Sequence, residues 1–144
     1  MLLKNIFKDD TFLLTYGDGL ADININSLVK FHKKEKNIVT VTAVKPPGRF
    51  GVLKINKSLV KKFQEKVDNK DVWINGGFFV LNKKIFEYLN NKNDSLESDA
   101  LKKIAKGKKM NAYKLKKFWS PMDTLRDKNK LIEIWKTGKA PWKR

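Results

Sequence analysis

Asp18 stands between two glycines, in Tyr16-Gly17-Asp18-Gly19, directly after the apolar run Thr11–Tyr16. An acidic residue at the C-terminal end of a buried strand lies where open α/β sheets take their ligands. The flanking glycines let a phosphate or a sugar come close to the backbone. Such a carboxylate suits Mg²⁺, a hard cation that takes one or two carboxylates together with substrate phosphates. The same tripeptide also serves as a plain strand-to-loop turn. Asp123, in Phe118-Trp119-Ser120-Pro121-Met122-Asp123-Thr124, precedes a helical pattern and so fits a helix cap; alongside Asp18 it would offer the same metal a second carboxylate. Glu65-Lys66 closes an alternating strand, where an adjacent acid and base are usually solvated on opposite faces. In a functional version, Glu65 accepts from sugar hydroxyls and Lys66 meets a phosphate as a point charge. The single histidine, His32, falls at helical spacing and reads as a core-edge residue. No Ser/His/Asp set, zinc pattern or Walker-type loop is present.

The elements that must position these groups are legible in the pattern of apolar residues. Thr11–Tyr16 reads as a buried, central strand, and Asn24 caps a helix to about Lys34 with Ile25, Leu28, Val29 and His32 on one face. Ile38–Val44 is a β-branched strand closed by Pro46-Pro47-Gly48. Strand, helix, strand in this order predicts a parallel pair in an α/β sheet. Gly51–Ile55 and Leu59–Lys66 predict a hairpin turning at Asn56-Lys57-Ser58. Trp73–Leu81 is a further strand, and its adjacent Gly76-Gly77 predict a bulge or a close backbone approach by a ligand. Helices over about Lys83–Leu89 and Asp94–Lys106, a strand over Met110–Leu115 and a last helix over about Thr124–Lys136 follow. That helix is expected to turn Leu125, Ile132 and Trp135 to the core.

The 144 residues fit one domain, with 41% hydrophobic and 33% charged residues as in ordinary globular chains. No cysteine is present, which excludes disulfides, a Cys-ligated zinc and thiol catalysis, and fits a cytoplasmic, soluble protein. No window reaches the roughly 18 uninterrupted apolar residues of a membrane helix. The net charge of +17 invites a nucleic-acid reading, but only Arg49, Arg126 and Arg144 are arginine and the lysines are scattered over different elements. Arginine forks are the usual tool for base and phosphate recognition. The charge therefore favours anionic ligands in general over nucleic acid.

Read together, LTYGDGLADININ, VTAVKPPGRFGVL, FQEK, WINGGFFVL, FWSPMDTLRDK and the closing GKAPWK resemble bacterial glucose-1-phosphate cytidylyltransferases, in that order and over essentially all 144 residues. The GDG and EK motifs are shared with sugar nucleotidyltransferases in general, whereas PPGRFG, WINGGFF and PMDTLRDK belong to the cytidylyl branch. The resemblance implies a GT-A-like (Rossmann-like) α/β fold with a mixed sheet. It also implies a Mg²⁺-dependent reaction in which CTP and α-D-glucose 1-phosphate give CDP-glucose and pyrophosphate, feeding polysaccharide (O-antigen) synthesis.

Carried over by position, Asp18 and Asp123 match the family's Mg²⁺ ligands, and Gly17 matches a backbone position beside the substrate. Gly51, Glu65, Lys66, Gly76 and Gly77 match positions around the hexose phosphate, as does Asn75 less closely. Val67 stands where the family has proline, so the sugar-side loop departs from its pattern. The family's GGxGTR loop is absent between Met1 and Arg144. Residues 1–144 thus resemble the C-terminal part of one nucleotidyltransferase domain, without its N-terminal nucleotide-binding strands. A gene fragment, a mis-called start and a split gene with a separate N-terminal half all fit. The expectations are an inactive chain when alone, an exposed sheet edge, and self-association or a homo-oligomer. A nucleotidyltransferase of other base or sugar, and a non-catalytic polyanion-binding remnant, are the alternatives.

Overall fold

A computed structural model describes residues 7–46, 52–64, 72–89 and 93–143, with the backbone alone for 52–55 and 62–64. Strands β1 (Thr11–Thr15), β3 (Val39–Val44), β6 (Ile74–Asn82) and β7 (Met110–Lys114) form a mixed sheet in the order β1-β6-β3-β7. Helix α1 (Ile25–Glu35) covers one face. A 3₁₀ turn (Lys83–Tyr88) and a segment that starts as π-helix (Leu96–Leu101) and continues as α2 (Lys102–Lys106) cover the other. The short strands β2 (Gly19–Ala21) and β8 (Trp119–Pro121) pair antiparallel, and β4 (Val52–Asn56) pairs with β5 (Leu59–Gln64). Helix α3 (Leu125–Lys136) closes the order.

Period-two alternation along β6 feeds two cores. Phe79 and Leu81 join Val39, Ile85, Phe86 and Ile104 beneath the second helical layer. Val80 points the other way and meets Leu28, Val44, Leu115 and Ile23 under α1. Asn24 caps α1 through its side chain, which accepts from the Ser27 amide, and α1 buries Leu28 and His32 while Ile25 stays exposed. Burial takes His32 from the expected core edge into the interior, where Nδ1 lies 2.9 Å from Thr40 Oγ1. Ser95 caps the later helical segment, and Thr124 and Asp127 form a reciprocal capping box at α3.

Three expectations require correction. β1, read as buried and central, is an edge strand among the described residues, with Leu13 51% exposed, because its described partner is β6 alone; that edge fits the exposed sheet edge also expected. β1 and β3 do not pair: β6 lies between them and runs antiparallel to both, so the adjacent parallel pair is β3–β7. On α3 the inward residue is Leu131 at 4% exposure, whereas Leu125, Ile132 and Trp135 are 70%, 39% and 53% exposed. The helix packs through the Leu131 face, which turns the expected stripe outward. Among the described residues, no helix is long and apolar enough to cross a membrane.

Candidate functional site

β1 delivers the chain into Tyr16-Gly17-Asp18, and β2 then pairs with β8, with Gly19 opposite Pro121 and Ala21 opposite Trp119. One step beyond that ladder the Met122 amide donates to the Asp18 carbonyl at 2.7 Å. The chain segments that carry Asp18 and Asp123 are thereby tied together, and both residues line one cavity of about 550 Å³. Asn75, Gly76, Gly77 and Gly19 line it too, with Tyr16, Trp119, Ile74, Pro46 and Pro121. Thr124, not Asp123, is the N-cap of α3, so the capping role foreseen for Asp123 falls to its neighbour.

The glycine pair forms the bulge its sequence suggests. Between Val41 opposite Phe79 and Ala43 opposite Asn75, β6 uses two more residues than β3. Gly77 takes φ +78°, and a Cβ there would stand 3.1 Å from the Tyr16 ring. At Gly76 a Cβ would meet Val44 Cγ1 at 2.8 Å and Thr42 O at 3.0 Å. Both positions therefore need glycine, one for conformation and both for space. The polar groups of the bulge are held from several sides: Trp119 Nε1 donates to Gly76 O at 2.8 Å, Tyr16 N to Gly77 O at 2.9 Å, and Gly77 N to Asn75 Oδ1 at 2.9 Å.

The described lining contains two carboxylates and no lysine or arginine, in a chain whose net charge is +17. An anion entering such a cavity meets two like charges, which a cation held between them would offset. Among the described residues no cluster of three or more Asp, Glu, His or Cys forms a closed metal cage. Two carboxylates plus ligand oxygens is the arrangement Mg²⁺ accepts, so this donor set fits it. The phenol of Tyr16 donates to Glu97 Oε1 at 2.6 Å and accepts from Asn75 Nδ2 at 3.0 Å. Burial, with the bond to Glu97 next in weight, pushes its pKa up to about 12. The bond from Tyr16 holds the Glu97 carboxyl below its usual range.

Of the residues singled out in the sequence, the structure brings Asp18, Asp123, Asn75, Gly76 and Gly77 to one cavity. Gly17 does not line it, and open space surrounds the position its Cβ would take. Gly51, Glu65 and Lys66 lie outside the described residues. Sequence reasoning missed Tyr16, Trp119 and Pro121 as lining residues, although each sits within the motifs that carry the acids. The bonding partners of Tyr16 and Trp119, 43 to 81 residues away, have no local signal. Glu97, bonded to Tyr16, had none either.

The chain belongs to the nucleotidyl transferase family, whose model matches residues 1–133. A glucose-1-phosphate cytidylyltransferase of Salmonella typhimurium is 46% identical over 135 residues, 94% of this chain and 52% of the relative. One of Salmonella typhi matches with the same figures. The chain thus spans about half the length of these curated relatives. Among solved structures, HddC from Yersinia pseudotuberculosis superposes with a TM-score of 0.65 at 21% identity, covering 92% of this chain and 58% of that one. At that identity the likeness concerns the fold alone, an α/β nucleotidyltransferase architecture.

Proposed function

We propose that the chain forms the sugar-phosphate side of a glucose-1-phosphate cytidylyltransferase, which transfers CMP from CTP to α-D-glucose 1-phosphate and releases pyrophosphate. The observation that carries this reading is the cavity that joins Asp18 and Asp123 to the Gly76–Gly77 bulge. The 46% identity to relatives bearing that name supports the choice of base and sugar.

Asp18 and Asp123 would hold Mg²⁺, which when bound supplies the positive charge that lets phosphate oxygens share the cavity with two carboxylates. The Gly76–Gly77 backbone lines the cavity beside Asn75, and Trp119 offers an aromatic wall fixed by its bond to Gly76 O. Tyr16 remains a neutral donor and acceptor at physiological pH. None of these residues needs to bond covalently to substrate, because transfer of this kind rests on holding the attacking phosphate oxygen in line with the α-phosphorus and the pyrophosphate. The cavity's own charge is unsuited to a triphosphate, so turnover needs cationic donors beyond its described lining.

The test is calorimetric titration of the chain with glucose 1-phosphate in the presence and absence of Mg²⁺, with glucose 6-phosphate as control. The expected result is Mg²⁺-dependent binding of the 1-phosphate in preference to the 6-phosphate. Equal binding of both, or binding indifferent to Mg²⁺, contradicts the reading. Retention on a polyanion with a steep salt dependence, and no sugar-phosphate binding, would instead favour a basic polyanion-binding module.

A further inference from the structure

We propose that Glu97 is a positioning residue for this cavity: through the Tyr16 hydroxyl it supports the second hydrogen bond of Asn75 and so steadies the Gly76–Gly77 bulge. The inference rests on the sugar-phosphate reading of the cavity for its consequence, but not for its structural content. Glu97 does not line the 550 Å³ cavity; it borders a second one of about 400 Å³, with Asn75 shared between the two.

The chain of hydrogen bonds has a single consistent direction. Gly77 N–H can only donate, so the atom of Asn75 that faces it at 2.9 Å is the carbonyl Oδ1. That leaves Nδ2 facing Tyr16 Oη at 3.0 Å, where the phenol oxygen must accept. The phenol proton is then directed away from Asn75, and its acceptor is Glu97 Oε1 at 2.6 Å. Glu97 is the terminal acceptor of the series. Without it, the phenol proton loses the acceptor that keeps the hydroxyl lone pair aimed at Nδ2, and the Asn75 amide is held by the Gly77 N–H alone.

Glu97 is itself held in place. It lies in the first turn of the helical segment capped by Ser95, a favourable position for a carboxylate. Its Oε2 sits 3.3 Å from Ser95 Oγ. The segment is anchored by Ala100 and Ile104, both at 0% exposure, which fixes its backbone relative to the sheet. The bulge is in turn sensitive to Tyr16, whose ring packs where a Gly77 side chain would be.

The experiment uses the ¹⁵N-labelled chain and the variants Glu97→Gln, Glu97→Ala, Glu97→Lys and Tyr16→Phe. Amide signals of Gly76 and Gly77 are read without ligand, and the glucose 1-phosphate dissociation constant is read with Mg²⁺. Gln keeps an acceptor oxygen, so Glu97→Gln should leave both amide signals near their native positions and change affinity less than about twofold. Glu97→Ala and Tyr16→Phe should displace the same two signals and weaken affinity by about five- to twentyfold, with Glu97→Lys at least as severe because ammonium cannot accept. Native signals and native affinity in Glu97→Ala would overturn the proposal. So would an equal loss in Glu97→Gln, which would assign the effect to charge. If the native chain binds no sugar phosphate, the functional reading fails, while the ligand-free glycine signals still decide the coupling.

Discussion

The Met122 amide donates to the Asp18 carbonyl at 2.7 Å, extending the β2–β8 ladder by one residue to the edge of the cavity. The two acids, more than a hundred residues apart in sequence, owe their common cavity to this short antiparallel pair and not to the central sheet. If they hold one cation, neither can do so alone. Asp18→Asn and Asp123→Asn should each weaken Mg²⁺-dependent binding of glucose 1-phosphate by roughly tenfold or more, with the fold unchanged by circular dichroism. Loss in only one of the two variants would show that the carboxylates do not share a metal.

The bulge should tolerate no side chain. Gly77→Ala forces a non-glycine residue to φ +78° against the Tyr16 ring, and should cost about 1–3 kcal/mol. Gly76→Ala presses on Val44 and the Thr42 carbonyl, and overpacking of this kind also costs about 1–3 kcal/mol. Gly17→Ala, with open space around it, should leave the denaturation midpoint where it is. Urea melts of the three variants separate these cases.

His32 makes stability pH-dependent. Burial lowers its folded pKa beneath the ordinary value of 6.5, so the folded chain keeps it neutral where the unfolded chain is protonated. Its contribution is fully present above the unfolded pKa. It is lost as pH falls below about 6.5 and on through the folded pKa, beneath which both states carry the proton. Urea midpoints between neutral and mildly acid pH should therefore fall more steeply in the native chain than in His32→Gln. Parallel curves would contradict this.

On α3 the buried residue, not the apolar stripe, should matter for stability. Leu131→Ala should cost about 2–5 kcal/mol, as for other buried leucines. Ile132→Ala and Trp135→Ala, both on the exposed side, should fall within about 0.5 kcal/mol of native. Thermal melts of the single variants decide it.

Much of this architecture was legible because it is encoded locally. Asn24 and Ser95 announce helix starts through side-chain oxygens that satisfy backbone amides, and Gly76-Gly77 announces a bulge that only glycine can populate. Sheet order was not legible. Thr11–Tyr16 is apolar enough for a central strand, yet the pairing with β6 alone leaves it at an edge. The rotation of α3 was not legible either, because Leu125, Ile132 and Trp135 offer as good a stripe by count as Leu131 and Ile134. Tertiary packing of Leu131 decides which face turns inward. Asp18 and Asp123 were recognisable within their motifs. Tyr16, Trp119 and Glu97 act through hydrogen bonds spanning 43 to 81 positions, which no local pattern announces.

One cavity, bearing two acids and a glycine bulge, is proposed to receive a sugar 1-phosphate by way of a divalent cation. The most direct measurement is a ¹⁵N NMR titration of the chain with glucose 1-phosphate, run with Mg²⁺ and again with excess EDTA. Saturable shifts are predicted at the Gly76, Gly77 and Asp18 amides and at the Trp119 indole, present with Mg²⁺ and absent with EDTA. Shifts that persist in EDTA, or that fall on surface lysines and leave these four signals unmoved, would contradict the proposal.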